Sequence, residues 1–487
     1  MKIKQLTLAL LFSACAANMQ GQPYNEPYRP QYHFSPARGW IGDPCGLTYY
    51  KGQYHLFWWG KTVSTDLVHY HEVSPNVMED TPPGISNFTG SMVIDKHNTA
   101  GWGPGAWVAA MTVYEKDSKK QAQGLAFSHD GVHFSHFDKN PVIDLWSTEF
   151  RDPTVFWHEQ TRRWVMVVAK ALEKKVKFYS SANLKDWTWE SDFGPAGDQE
   201  KSWECPDLFQ VPVNGNWNNR RWVMVVSVNW AQEQYFIGDF DGHKFTLMDG
   251  HPQQPLYVDR GLDYYASRVV RDYDDTLHQA ITLGWVATWD YAPLAPSVWG
   301  KGFWSLPRLY GLTSFAGEGL RLTQTPLPAL QQLRGKLFSK RLELPVGAHP
   351  IAGFAPKSNQ YELDVTFDTS RSNTFGFYLA EGNGHKTVVS YDTDARMLLV
   401  DRTNAADVEI PKFGRVAKAE VQPEGGKLRL HVYVDRSSIE IFANRGKEVF
   451  TLLTYAGNTQ TGIETFAHRP GTRMELRAWP LRSIWNP

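Results

Sequence analysis

Cysteine is scarce in this chain, with three in 487 residues at Cys15, Cys45 and Cys205. So few thiols exclude a multi-bridge disulfide scaffold, and no Cys-x-x-Cys or His/Cys spacing of a structural metal site occurs. An excess of one charge is missing too. The 50 Lys and Arg stand against 51 Asp and Glu, for a formal net charge of -1. That balance excludes the broadly cationic surface that drives non-specific nucleic-acid binding. No apolar run is long enough to cross a bilayer. No Gly-x-Ser-x-Gly follows a strand to build a serine-hydrolase elbow. Helical periodicity is also rare, whereas short alternating or apolar runs between Gly, Asn, Asp and Pro clusters are common, which predicts an all-β chain.

Hydrophobic residues make up 42% of the chain and charged residues 21%, so it is not a disordered one. Its length favours two domains. Aromatic residues reach 14%, with 20 Trp, 21 Tyr and 26 Phe; such rings suit both a β-rich core and stacking on sugar faces. The N-terminus carries Lys2 and Lys4, then Leu6 to Phe12, then Ser13-Ala14-Cys15. A basic start, a short apolar stretch and small residues form an export signal, taken here as 1–22. Cleavage before Cys15 would leave a lipid-anchored protein at the cell surface or in the periplasm. Cleavage at the small-x-small site Ala14-Cys15-Ala16 would release a soluble one.

Internal repetition is the strongest signal. Arg162-Arg163-Trp164-Val165-Met166-Val167-Val168 recurs verbatim as Arg220-Arg221-Trp222-Val223-Met224-Val225-Val226, with looser copies at Gly52–Phe57, Gly105–Met111 and Leu277–Leu283. Turn-like elements follow at similar intervals: Ser64-Thr65-Asp66, Ser128-His129-Asp130, Ser181-Ala182-Asn183 and Gly238-Asp239-Phe240-Asp241. Three units begin at an acid beside a proline, in Asp43-Pro44, Asp152-Pro153 and Glu204-Cys205-Pro206. The other two begin at Phe88-Thr89-Gly90-Ser91 and Asp263-Tyr264-Tyr265-Ala266. Five units predict a five-bladed β-propeller over 23–315, whose innermost strands would gather the three acids around one funnel. Asp and Pro also punctuate ordinary turns, but three acids at equivalent repeat positions repel one another without a task to perform. A linker is expected over 316–340, with helical character near Leu327–Leu333. A β-sandwich follows over 341–487, where short alternating strands return without the acid-led repeat.

Several carboxylates ringed by Trp and Tyr suit glycoside cleavage, which needs one carboxyl to donate a proton and another to act as nucleophile or base. Three carboxylates could also hold calcium, though the flanking prolines and aromatics fit a hydrated ion poorly; no metal or cofactor is expected. Arg151 could hold sugar hydroxyls or orient a carboxylate. Asp263 and Tyr265 could reach the funnel from the fifth unit. Trp285, Trp289 and Trp299 could line a rim or pack between blades, while Trp164 and Trp222 belong to the blade core.

Three motifs resemble glycoside hydrolase family 32, the family of invertases, inulinases and levanases. They are Trp40-Ile41-Gly42-Asp43-Pro44-Cys45-Gly46, Phe150-Arg151-Asp152-Pro153 and Trp203-Glu204-Cys205-Pro206-Asp207. The likeness extends to Gln234–Gly242, Trp304–Arg308 and Val434–Phe442, and so covers nearly the whole mature chain. It implies a five-bladed propeller with a C-terminal β-sandwich that cleaves β-fructofuranosyl bonds with retention, in fructans, fructo-oligosaccharides or sucrose. It assigns Asp43 as nucleophile, Glu204 as acid/base and Asp152 as transition-state stabiliser. Trp40, Trp59, Phe88, Thr89 and Cys205 fall in its sugar-contacting motifs. The chain departs from the family at Gly42 and Cys45, where Asn is usual on either side of the Asp-Pro pair, and at Thr89, where Ser is usual. Fructosyl transfer on the same fold, or fructan binding without cleavage in an altered pocket, would fit the same motifs.

Overall fold

The computed structural model describes residues 24–485; the segment expected to be an export signal, with Cys15, lies outside them. Five antiparallel units follow one another in chain order, the last two joined by a parallel pairing of Val213 with Leu312. Blade one is built from Gly46–Tyr50, Gln53–Phe57, Lys61–Ser64 and His71–Ser74. Blade two uses Ile85–Asp95, Ala106–Glu115, Gln121–Ser128 and Ile143–Ser147. Blade three uses Phe150–His158, Arg163–Lys170, Lys175–Ser181 and Thr188–Phe193. Blade four has Trp203–Val213, Asn216–Val228, Gln232–Phe240 and Phe245–Leu247. Blade five has Tyr265–Val269, Ala280–Trp285, Arg308–Phe315 and Gly319–Pro326.

The verbatim repeat is the second strand of blades three and four. Its continuous apolar run is explained by burial on both faces. Trp164, Met166 and Val168 pack with Val93, Val108 and Leu125 of blade two. Val165 and Val167, pointing the other way, pack with Leu208, Met224 and Val226 of blade four. The Ser-x-Asp elements are the turns between third and fourth strands. Asp66 Oδ1 accepts from the amides of Val68 and His69, and Asp130 Oδ1 from those of Val132 and His133, at 2.8–2.9 Å. Asn183 and Asp241 do the same in blades three and four.

The linker expected over 316–340 is shorter than that. Gly319–Pro326 is the outer strand of blade five, paired along its length with Arg308–Phe315, and Phe338–Glu343 already belongs to the sandwich. Between them Pro328–Leu333 forms a 3-10 helix that buries Leu330 and Leu333. The C-terminal domain is two six-stranded sheets packed face to face around a core that includes Leu363, Phe367, Phe377, Leu430 and Ile441. Buried charges join the two domains. Arg308 donates to Asp259 at 2.9 Å and to Glu440 at 2.6 Å. His33 bridges Asp435 and Glu440 at 2.8 and 3.0 Å.

Candidate active site

The innermost strands of blades two to five each slip register where the candidate residues sit. The slips fall between Phe88 and Gly90, Arg151 and Thr154, Glu204 and Asp207, and Tyr265 and Arg268. A bulge re-aims side chains and frees one residue from the ladder. This explains the acid-proline pairing in the sequence, because Pro153 and Pro206 lack an N–H and stand where the ladder does not need one. Asp152, Cys205 and Ala266 take left-handed backbone conformations at these bulges, with φ of 66°, 48° and 53°.

The bulges and the approach to blade one bring the three acids into one cavity of about 540 Å³, within the ordinary range of small-molecule sites. Thr89 donates from Oγ1 to Asp43 Oδ2 at 2.6 Å. Asp43 Oδ1 is buried and has no hydrogen-bond partner among the described residues. Asp152 accepts from the Cys205 amide at 3.0 Å, and the Cys205 thiol lies 3.5 Å from both Asp152 Oδ2 and Asp43 Oδ2. Arg151 grips Glu204 Oε1 through Nε at 3.1 Å and Nη2 at 2.9 Å, while its Nη1 is held by Glu149 at 2.6 Å and Gln121 at 3.1 Å. Tyr265 donates its phenol proton to Glu204 Oε2.

Burial pushes the Asp43 carboxyl above the usual range; the Thr89 hydrogen bond opposes that shift and the charge of Glu204 adds to it. Asp152 is also raised, first by burial and then by its two acidic neighbours, against the pull of Arg151. Burial works against the charge of Arg151, but Asp152, Glu204 and Glu149 outweigh it and hold the guanidinium protonated. Burial and the Glu204 charge keep Tyr265 a phenol, hence a donor. Burial likewise raises the thiols of Cys45 and Cys205, which fits packing rather than nucleophilic roles. Among the described residues, no group of three or more His, Cys, Asp or Glu is gathered as a metal ion would require.

Trp40, Trp59, Phe88, Thr89, Arg151 and Cys205 all line the cavity. Trp59 spends its indole N–H on the Phe88 carbonyl at 3.1 Å, so it offers a sugar only its ring. Trp289, on the rim and 45% exposed, stacks on Trp40 with ring centroids 5.8 Å apart. Trp285 and Trp299 are buried instead. Gly42 makes room for this platform, because a Cβ there would stand 3.0 Å from Trp40 Nε1. Trp58, packed edge-on against Trp304 and largely buried, also contributes to the cavity wall. Asp263 does not reach the cavity. It is fully buried, faces the sandwich, and pairs with Arg402 and Tyr291. Sequence reasoning missed Gln121 and Glu149, which sit in blade two and just before blade three with no motif to mark them.

Known proteins resemble this chain in sequence and fold. The model for the glycosyl hydrolases family 32 N-terminal domain matches residues 33–326, and that for the family's C-terminal domain matches residues 329–480. A levanase of Bacillus subtilis (strain 168) is 37% identical over 99% of this chain and 74% of its own. An extracellular exo-inulinase of Aspergillus awamori is 30% identical over 95% of this chain and 96% of its own. The crystal structure of exo-inulinase from Aspergillus awamori superposes with a TM-score of 0.89 at 30% identity, covering 95% of this chain and all of that one. The chain therefore belongs to glycoside hydrolase family 32 and is a hydrolase of β-fructofuranosyl linkages.

Proposed function

We propose that the protein is an exported, retaining hydrolase that releases fructose from the ends of fructan chains, with Asp43 as nucleophile, Glu204 as acid/base and Asp152 as transition-state stabiliser. The observation that carries this reading is the pairing in one cavity of a partner-free Asp43 Oδ1 with a Glu204 carboxyl held on two sides. Asp43 Oδ1 attacks the anomeric carbon while Glu204 gives a proton to the departing oxygen, so the glycosidic bond breaks as the fructosyl ester forms. Water, losing its proton to Glu204, then opens the ester and frees fructose with its configuration retained. Asp152 accepts from ring hydroxyls, and those bonds tighten as positive charge grows on the sugar. Arg151 holds Glu204 in aim.

A cavity of about 540 Å³ has room for a fructosyl ring and its neighbour, and the exposed Trp40–Trp289 stack gives the next sugar a surface. The relatives' printed names of levanase and exo-inulinase support a fructan substrate, and the name exo-inulinase supports action at chain ends. The basic and apolar N-terminal segment supports export, and a lipid on Cys15 would tether the enzyme to the cell; both lie outside the described residues.

Incubation with sucrose, inulin and levan, followed by chromatography, tests the reading. Fructose as the first product from at least one of them is expected, and Asp43→Ala and Glu204→Ala should each abolish it. Full activity in both variants, or binding without turnover, would defeat it.

A further inference from the structure

Glu204 and Tyr265 meet from two bulged strand starts that run side by side, and each bulge is fastened by a charged side chain that touches no sugar position. On the Glu204 side the fastener is Arg268, 2% exposed. Its Nη1 donates to the carbonyl of Cys205 at 2.6 Å and of Pro206 at 3.1 Å, the two residues inside the register slip. On the Tyr265 side the fastener is Glu233, fully buried. It accepts from the amide of Ser267, from Ser267 Oγ at 2.7 Å and from Ser227 Oγ at 3.1 Å. Ser227 Oγ in turn accepts from the amide of Ala266 at 3.0 Å. The amides of Ala266 and Ser267 are those the slip removes from the ladder.

Neither charge has an ion-pair partner within 4.0 Å among the described residues, and Arg268 Nε and Nη2 find no protein acceptor there. Burial works against both charges: it pushes Glu233 up to about 7, while at Arg268 neighbouring negative groups, Asp207, Asp152 and Asp43 among them, outweigh it and hold the guanidinium protonated. Neutral side chains could close a bulge more cheaply. What the charged groups add is rigidity in the two left-handed residues, Cys205 and Ala266, that set where Glu204 and the Tyr265 phenol point.

We propose that Arg268 and Glu233 are positioning residues for the acid/base: they lock the facing bulges so that the Glu204 carboxyl is aimed at the leaving oxygen. The inference rests on the reading of Glu204 given above. Its signature is selective. Misaiming the proton donor slows substrates whose leaving group must be protonated, but spares those with an activated leaving group that departs as an anion.

The test compares Arg268→Gln, Arg268→Lys, Glu233→Gln and Glu204→Ala on sucrose and on p-nitrophenyl β-D-fructofuranoside, with circular dichroism melts to confirm folding. For Arg268→Gln and Glu233→Gln, kcat/KM on sucrose should fall by about 10- to 100-fold, part of what a general acid contributes. On the nitrophenyl substrate kcat/KM should fall far less, and Arg268→Lys should recover part of the loss on sucrose. Glu233→Gln is nearly isosteric, so it keeps the inference testable should Arg268→Gln not fold. Parallel losses of kcat/KM on both substrates, or none on either, would overturn the inference. If Glu204→Ala itself lowers kcat/KM, which reads the first step alone, equally on both substrates, the reading of Glu204 falls, and this inference with it. If Glu204→Ala shows the split and the other variants do not, only the inference falls.

Discussion

Thr89→Val removes one hydrogen bond from the nucleophile while keeping the shape of the side chain. The bond is short, at 2.6 Å, and runs from a neutral hydroxyl to a buried carboxylate. Hydrogen bonds to charged groups are worth about 1.5–3 kcal/mol, so the ionised form of Asp43 should lose roughly 10- to 150-fold in relative population. The sign follows from what raises and lowers the group. Burial and Glu204 already push the Asp43 carboxyl up, and Thr89 pulls it back down. Without Thr89 the carboxyl rises further, and the ionised nucleophile is lost at a higher pH. The acid limb of kcat/KM should therefore move upward. Below that limb the variant should run some 10- to 150-fold slower than the parent at the same pH, with the gap closing as pH rises. Profiles of kcat/KM against pH on sucrose or a fructo-oligosaccharide read this directly. An acid limb that stays in place, with a uniform loss at every pH, would show that Thr89 serves the sugar and not Asp43.

Gly42→Asn should push Trp40 off Trp289, since even a Cβ meets the Trp40 indole. KM for fructo-oligosaccharides should rise several-fold and that for sucrose less; an equal change for both would remove the Trp platform from the account. The domain interface should soften at high pH. His33, held between Asp435 and Glu440, is raised from 6.5 to about 9, because the two carboxylates outweigh its burial. A raised group stabilises fully below its unfolded value and loses that contribution as pH climbs through the folded one. The gap in unfolding free energy between the parent and His33→Gln, about 3 kcal/mol at most, should thus close between pH 7 and 10. Denaturant midpoints across that range check it, and a gap independent of pH would contradict it.

Much of the architecture was legible because repetition exposed it. The duplicated Arg-Arg-Trp-Val-Met-Val-Val run marks equivalent strands, and acid-proline pairs mark the inner strand of three blades. What chain order could not show was direction. Asp263 and Tyr265 stand two residues apart at the head of blade five, yet only Tyr265 faces the funnel, because Asp263 lies before the strand and turns to Arg402 of the sandwich. The outer strand Gly319–Pro326 was mistaken for linker since outer strands carry no acid and no repeat motif. Among the rim candidates, Trp289 is exposed while Trp285 and Trp299 are buried; sequence spacing holds no trace of that difference. Arg268 and Glu233 looked like ordinary charged residues until the bulges they fasten were in view.

The covalent step is the heart of the account, and one measurement reaches it. In Glu204→Gln the water that should open the fructosyl ester has lost its base, so an activated fructoside should load the enzyme faster than it is released. Mass spectrometry of the quenched, digested protein should then find one fructosyl group on the peptide that carries Asp43. A fructosyl group on the Asp152 peptide, or steady hydrolysis with no adduct anywhere, would contradict the assignment of the nucleophile.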